Sequence, residues 1–483
     1  MMPDPAEHPE PERPPDSPRQ AVWFCLVLAL CLASRLPFLD AGYGNDPDAW
    51  ELIRAARHLD LTDEYVASRL PGYPLPEFAS ALLWRGGPIV VNLCTALFSV
   101  AAAAAFILSL KRLAVPHPFL AGLAFALTPV VYLNSTTAMD YVWALAFIMA
   151  AFHLALRDRP LAAGLSLGAA VACRLTSALM LLPLGLIVAL DGERSSRLRR
   201  LTAFSLATML VAGLAFRPVV SKYGFGFLSF HQTPAYPDLV TVLSRATLHV
   251  WGLVGLLAIA AGVLATVVGR WSRPAVPPRP LAASRPPLLA ALAAVVLYAA
   301  AYLRLPLEAG YLLPAVPFVL LLLGRLLAHQ MFRWVCIGMC LSPFIGYLGR
   351  AGAAPPSTYS PWAVSFTIAE QGFTLDLPRG PVLHDDRERR HGLAFVDRVV
   401  RAAEALPPDS VIVVGYWLPQ IQVRFGDSPA RFVYLLDPAE LERHQAAGTP
   451  VYYLPEMADF NREARSLDLA RAGAVPLDVR WRQ

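Results

Sequence analysis

An all-α polytopic membrane protein, with about eleven transmembrane helices and a small C-terminal extracytoplasmic α/β domain, is the fold class this sequence predicts. Three observations carry that prediction. Hydrophobic residues make up 56% of the 483 and charged residues only 16%, with a mean hydropathy of +0.47, too apolar for a soluble chain of this length. Apolar stretches long enough to cross roughly 30 Å of hydrocarbon, at about 1.5 Å rise per residue, recur between residues 21 and 348. Beyond residue 350 the pattern changes to short β-type apolar runs alternating with helix-like segments.

Taken in order, residues 1–20 are rich in Pro, Glu and Asp and are expected to be a disordered tail. The tail is acidic and no small-residue site closes the following apolar run, so a cleaved signal peptide is not expected. Spans are predicted near 21–39, 88–110, 119–135, 138–156, 161–175, 177–190, 201–220, 246–268, 287–303, 311–327 and 332–348. The stretch 161–190 decides the parity. Arg157 and Arg159 precede it and Arg194, Arg197, Arg199 and Arg200 follow it, so the positive-inside rule puts both flanks in the cytoplasm. Two short helices meeting at Arg174 then fit. The same rule assigns Lys111, Arg112, the segment 270–285, Arg325 and Arg333 to the cytoplasm. The N-terminus falls inside and the C-terminus outside, in a plasma or inner membrane.

Residues 21–350 thus form the membrane domain, with three outer segments: a first loop (40–87), a medium loop (221–245) and the link 304–310. Residues 351–483 form the outer domain, with strands expected at 411–415, 432–436 and 451–454 and helices at 391–405, 437–446 and 456–470. The net charge of +5 comes from arginine clusters between spans, which topology explains; no nucleic-acid partner is expected. All six cysteines lie in apolar segments without paired or metal-ligand spacing, so neither a disulfide framework nor a zinc site is indicated.

The first loop opens with Gly44-Asn45-Asp46-Pro47-Asp48-Ala49-Trp50, followed by apolar residues at Leu52, Ile53, Ala56 and Leu59, an amphipathic helix expected on the membrane surface. Asp46 suits an N-cap, Pro47 the first helical position and Asp48 the positive end of the helix dipole. The same carboxylates suit a general base that takes the proton of an acceptor hydroxyl as it attacks an anomeric carbon. A lipid phosphate leaves readily, so such a site needs one base and cations for the departing phosphate, not the acid and base pair of a glycosidase. Arg69 and Tyr73 stand in Ser68-Arg69-Leu70-Pro71-Gly72-Tyr73-Pro74, where Pro71-Gly72 favours a tight turn. Arg174 and Arg217 sit at outer span ends, where an arginine serves either a site or the lipid headgroups. Asp140 opens the fourth span, as a helix-start carboxylate or an acidic partner for substrate or metal. Arg304, Glu308 and Tyr311 occupy the link before the tenth span. The topology brings all of these to one face. His384, Asp385 and Asp386, set among Arg387, Glu388, Arg389 and Arg390, read as a solvated charge run.

Over roughly residues 21–350 the sequence resembles the GT-C superfamily of membrane glycosyltransferases, which includes protein O-mannosyltransferases and the aminoarabinose transferase of lipid A. The resemblance rests on Asn45-Asp46-Pro47-Asp48, the Ser68–Pro74 turn, Ala138-Met139-Asp140-Tyr141 and Tyr311-Leu312-Leu313-Pro314. It implies a polyprenyl- or dolichyl-phosphate sugar donor, a site at the outer membrane surface, inversion at the anomeric carbon and an acidic first-loop base, matched here by Asp46 or Asp48. Many relatives carry Glu-x-Arg-Tyr before the tenth span. Here Gly310 takes the arginine's place, leaving Arg304 or Arg174 to supply the charge. The acceptor would be a lipid, a glycan or a protein. Asp46, Asp48 and Asp140 offer oxygen ligands for a divalent cation, although no essential metal or other cofactor is expected. A transporter or flippase of a lipid-linked sugar is the rival reading. An O-antigen ligase or polymerase would place its main loop late among the spans, and a scaffold would leave the acidic residues without a role.

Overall fold

The computed structural model describes residues 18–190, 194–228, 236–271, 285–352, 354–368, 370–426 and 431–481. Most of the tail expected at 1–20, and most of the basic segment expected at 270–285, lie outside the described residues. Six helical stretches are long and apolar enough to cross a bilayer: Pro18–Phe38, Pro74–Arg112, Arg197–Tyr223, Leu248–Gly269, Arg285–Arg304 and Ala309–Leu326. Shorter apolar helices, Tyr141–Leu156, Pro160–Cys173 and Leu175–Leu190, fill the space among them. Side chains of Tyr141–Leu156 are almost all buried, whereas the first helix turns Val22, Trp23, Leu26 and Leu30 outward, the surface a lipid-facing helix needs.

Arg174 breaks the 161–190 stretch, as its flanking charges predict. Pro160–Cys173 ends at Arg174 in extended backbone, a 3-10 turn covers Leu175–Met180, and Leu181–Leu190 resumes the α-helix. Other boundaries differ from expectation. The stretch 119–135 is two short helices, Pro118–Ala126 and Pro129–Asn134, separated where Pro129 removes a backbone donor. The last predicted span is helical only over His329–Leu341, after which Tyr347–Arg350 forms a strand. The fully buried Arg35 joins the first helix to this broken pair, donating to the Ala126 carbonyl (2.6 Å) and to Ser135 Oγ (3.0 Å).

Pro160–Cys173 approaches Arg197–Tyr223 closely because two glycines four residues apart face it. A Cβ at Gly164 would lie 2.3 Å from the Phe204 carbonyl oxygen, and one at Gly168 2.6 Å from Val211 Cβ. Gly168→Val is therefore expected to destabilise the bundle by roughly 1–3 kcal/mol through overpacking. The check is thermal unfolding in detergent, with Gly185→Ala as the neutral control, since its Cβ would meet nothing nearer than 3.9 Å.

The helix opening the first loop spans Pro47–Thr62, with Asp46 as N-cap accepting from the Asp48 amide (2.9 Å) and Pro47 leading. Its apolar stripe lies on protein instead of lipid: Ala49, Ile53 and Ala56 are fully buried, packed by Pro74–Leu83 and by the C-terminal helix Leu418–Phe425. The C-terminal region contains two sheets. Tyr347–Arg350, Val364–Ile368 and Gln371–Asp376 form an antiparallel sheet with the last strand central. Val411–Val413 lies between Arg431–Val433 and Val451–Tyr453 in a parallel sheet that Val475–Pro476 extends. Helices Pro381–Glu404, Pro438–Ala446 and Ala458–Arg465 fall in or near the segments read as helical.

The 384–390 charge run is only partly solvated: Arg387 and Arg390 are exposed, whereas His384 and Arg389 are buried. It occupies the first turns of Pro381–Glu404, where this helix docks on the membrane domain. Arg389, only 2% exposed, donates to the Thr136 carbonyl (3.0 Å) and pairs with Asp385 (2.9 Å). Asn45 Nδ2 donates to Asp385 Oδ1 (2.8 Å), and Arg390 pairs with Asp40 (2.6 Å). Spacing of four along a helix lets these charges pair with each other and with the partner surface. Docking gives Asp385, Arg389 and Arg390 partners on the membrane domain.

Candidate active site

The polar residues of the first loop meet those of two distant helix starts. Glu77, 1% exposed, organises the Ser68–Pro74 turn by accepting from the Ser68 amide and hydroxyl (both 2.7 Å), the Tyr65 hydroxyl (2.6 Å) and the Tyr73 amide (3.2 Å). The turn presents Arg69 between two carboxylates: Nε lies 2.9 Å from Asp48 and Nη2 2.5 Å from Asp140. Arg174, released from helical geometry, reaches the other oxygen of Asp140 at 2.7 Å. Each guanidinium also lies over a ring, Arg69 over Tyr73 (4.0 Å) and Arg174 over Tyr141 (3.9 Å), with Tyr311 at 5.2 Å. Asp140 is thus held by two cations and acts as an anchor for both.

The carboxylates left facing open space are Asp46, Asp48 and Glu308, whose oxygens lie within 4.8 Å of one another. Tyr141 donates its hydroxyl to Glu308. Burial raises Asp46, the negative charges of Glu308 and Asp48 add to the rise, and its carboxyl is pushed up to about 7. A divalent cation would find a hard oxygen donor set at these three residues.

Three adjoining cavities share these groups. One of about 370 Å³ is lined by Asp46 and Glu308 together with Arg245, His249 and Tyr141. A larger one of about 750 Å³ carries Asp46, Asp48 and Glu308 on one side and C-terminal residues, including Glu388 and Tyr416, on the other. A third of about 230 Å³ connects His249 and Gly310 to His384, Asp385 and Glu388. In this docked helix, burial and then Asp385 push Glu388 up to about 7, and burial brings His384 down to about 4.

Of the ten site candidates, the structure brings together Asp46, Asp48, Arg69, Tyr73, Asp140, Arg174, Glu308 and Tyr311. Arg217 and Arg304 are exposed on their helices and line none of the three cavities. Sequence reasoning missed Arg245 and His249, and it read Asp385 and Glu388 as part of a solvated charge run. Arg245 and His249 do fall in or beside the outer segment 221–245, the one signal that could have pointed to them.

The site crowns one end of the helical bundle, and the arginine clusters mark the other. Arg112 donates to the Leu156 carbonyl (2.5 Å), Arg325 to that of Leu113, and Arg200 pairs with Asp158. Helix Tyr141–Leu156 runs from the first end to the second. These features define a polytopic membrane protein whose acidic chemistry is gathered at the end opposite its basic loops, capped by an α/β unit.

Among solved structures the chain is similar to ArnT from Cupriavidus metallidurans bound to undecaprenyl phosphate, an aminoarabinose transferase. The TM-score is 0.55 and the identity 12%, over 95% of this chain and 90% of that one. The apo state of the same transferase gives 0.52 over the same shares. The chain has the GT-C fold. No protein family and no curated protein matches the sequence.

Proposed function

We propose that this protein is an inverting membrane glycosyltransferase that moves a sugar from a polyprenyl-phosphate donor to an acceptor hydroxyl at the outer face of the membrane. The observation that carries the reading is the position of Asp46, a carboxyl raised to about 7 at the junction of two cavities. A base with that affinity holds its proton weakly enough to be ionised near neutral pH and strongly enough to accept one in the transition state. The likeness to a transferase structure bound to undecaprenyl phosphate supports the donor class. The positive-inside rule, applied to the basic end of the bundle, supports an outer site.

In this mechanism the smaller cavity receives the donor head, with Arg245 and His249 beside the phosphate. Arg245 donates one bond to the Pro306 carbonyl (2.9 Å), which orients its guanidinium. The acceptor oxygen attacks the anomeric carbon from the Asp46 side. The bond from that carbon to the phosphate oxygen breaks, the electron pair leaves with polyprenyl phosphate, and the acceptor proton passes to Asp46. Attack opposite the leaving group inverts the centre. Asp48, paired with Arg69, is the second candidate base.

Two pH profiles test the reading. A raised carboxyl is neutral below its pKa and ionised above it, so kcat/KM is expected to rise with pH through about 7 and level off. Chelated protein is expected to keep its turnover and this acidic limb. A dication held by Asp46, Asp48 and Glu308 would favour the ionised form and move the limb to lower pH. Turnover lost to chelator and restored by Mg²⁺ would make the three carboxylates a metal centre instead. Donor binding without turnover, across donors and acceptors, would favour transport of the lipid-linked sugar.

A further inference from the structure

We infer that the larger cavity is the acceptor site and that it takes a saccharide without negative charge, bound against the C-terminal domain. This rests on the transferase reading above, which places the donor in the adjoining cavity. The two cavities share Asp46 and Glu308, so a hydroxyl entering from the larger one meets the candidate base facing the donor. At about 750 Å³ the larger cavity holds several sugar rings' worth of space, whereas a single hydroxyl-bearing side chain would leave most of it empty.

The lining supplies the chemistry. Tyr416, Trp417, Tyr434 and Trp481 bring aromatic surface from the C-terminal domain. Tyr416 and Tyr434 remain 43% and 41% exposed, with centroids 6.0 Å apart, and both are backed by Phe460 at 4.4 and 6.1 Å. Rings held rigidly by a third ring, yet open on the cavity side, form a platform for the C–H face of a pyranose at little entropic cost. Carboxylates opposite accept bonds from sugar hydroxyls.

Charge sets the class. The lining carries five carboxyl groups, Asp46, Asp48, Glu51, Glu308 and Glu388, against two arginines, and the carboxyls still outnumber the arginines where the raised Asp46 and Glu388 keep their protons. Both arginines are already engaged, Arg54 with Glu51 (2.7 Å) and Arg69 with Asp48 (2.9 Å). A phosphorylated or uronic acceptor would meet like charge and no free cation, while a neutral or amine-bearing glycan meets none of that repulsion.

Trp50, Trp417 and Trp481, three of the chain's ten tryptophans, line the cavity, so binding is read as a saturable change in intrinsic fluorescence of the full chain in lipid nanodiscs, with Trp417→Phe/Trp481→Phe as the control for emission from elsewhere. Maltotetraose or mannotetraose is expected to change the emission saturably, with no response to tetragalacturonate at equal concentration. In Tyr416→Ala/Tyr434→Ala the dissociation constant is expected to rise about tenfold, whereas Tyr416→Phe/Tyr434→Phe keeps the rings and binds as wild type. Absence of response to both neutral oligosaccharides, equal response to tetragalacturonate, or unchanged affinity in the alanine variant would overturn the inference. Loss of affinity in the phenylalanine variant would overturn the stacking role. Donor turnover, assayed separately with polyprenyl-phosphate sugar, tests the transferase reading alone, since the fluorescence arms need no chemistry.

Discussion

Asp46→Asn is expected to lower sugar transfer by about 10²–10⁴, the usual contribution of a positioned general base, while leaving donor binding and folding close to wild type. Folding should survive because Asn caps a helix as well as Asp does. Its side-chain oxygen can accept from the Asp48 amide as Asp46 now does at 2.9 Å. Removing one of three crowded carboxylates also relieves the repulsion that raises Asp46. The acidic limb near pH 7 should vanish from the residual activity, which separates loss of a base from loss of a binding contact. The measurement is transfer of radiolabelled sugar from polyprenyl phosphate in lipid, with Asp48→Asn alongside. Asp48→Asn breaks the pair with Arg69 and is expected to act mainly through that arginine's position. Full activity in Asp46→Asn with loss in Asp48→Asn would move the base two residues along the chain.

The sequence made the membrane domain legible because span length and arginine placement are local properties. Arg174 was legible for the same reason: charges on both flanks of 161–190 demanded a break, and the break is where the arginine stands. What sequence could not supply was helix rotation and docking. Arg304 ends its helix and Arg217 lies near the end of its own, but both side chains are exposed. The run at 384–390 has the composition of a solvated surface, and its docking depends on complementary groups, Asn45, Thr136 and Asp40, some 250 or more residues away. The apolar stripe of Pro47–Thr62 was visible in its periodicity. Periodicity does not distinguish lipid from protein as its cover.

Two of these misreadings share a physical origin that bears on function. For the charge run and the apolar stripe the C-terminal domain supplies the missing partner: Leu418–Phe425 covers the first-loop helix, and Pro381–Glu404 sets its charges against the loop that carries Asp46. Exclusion of water is the largest cause of the rise at Asp46, ahead of the charges of Glu308 and Asp48. In the proposed mechanism the domain therefore acts on the base through burial, in addition to lining the cavity beside it.

Asp140→Asn is expected to cost stability as well as activity, and so to separate an anchor from a reacting group. The carboxylate is 1% exposed and ties Arg69 and Arg174 together at 2.5 and 2.7 Å. Replacing it with a neutral amide leaves two largely buried guanidinium groups short of a counter-charge. Removing one partner of a buried pair typically costs about 3–5 kcal/mol. Their stacking on Tyr73 and Tyr141 offsets only part of this, at about 0.5–2 kcal/mol per contact. Thermal unfolding should therefore show a clear loss in Asp140→Asn and almost none in Asp46→Asn. A second variant makes the argument sharper. If Asp140 is an anchor, removing one orphaned charge in Asp140→Asn/Arg174→Met should recover stability relative to Asp140→Asn, a coupling on the order of 0.5–3 kcal/mol. Activity should stay low in both, because Arg69 no longer holds Asp48 in register with Asp46. Unchanged unfolding in Asp140→Asn, with a fall confined to kcat, would instead put this carboxylate in the chemistry, where the double variant would bring no recovery.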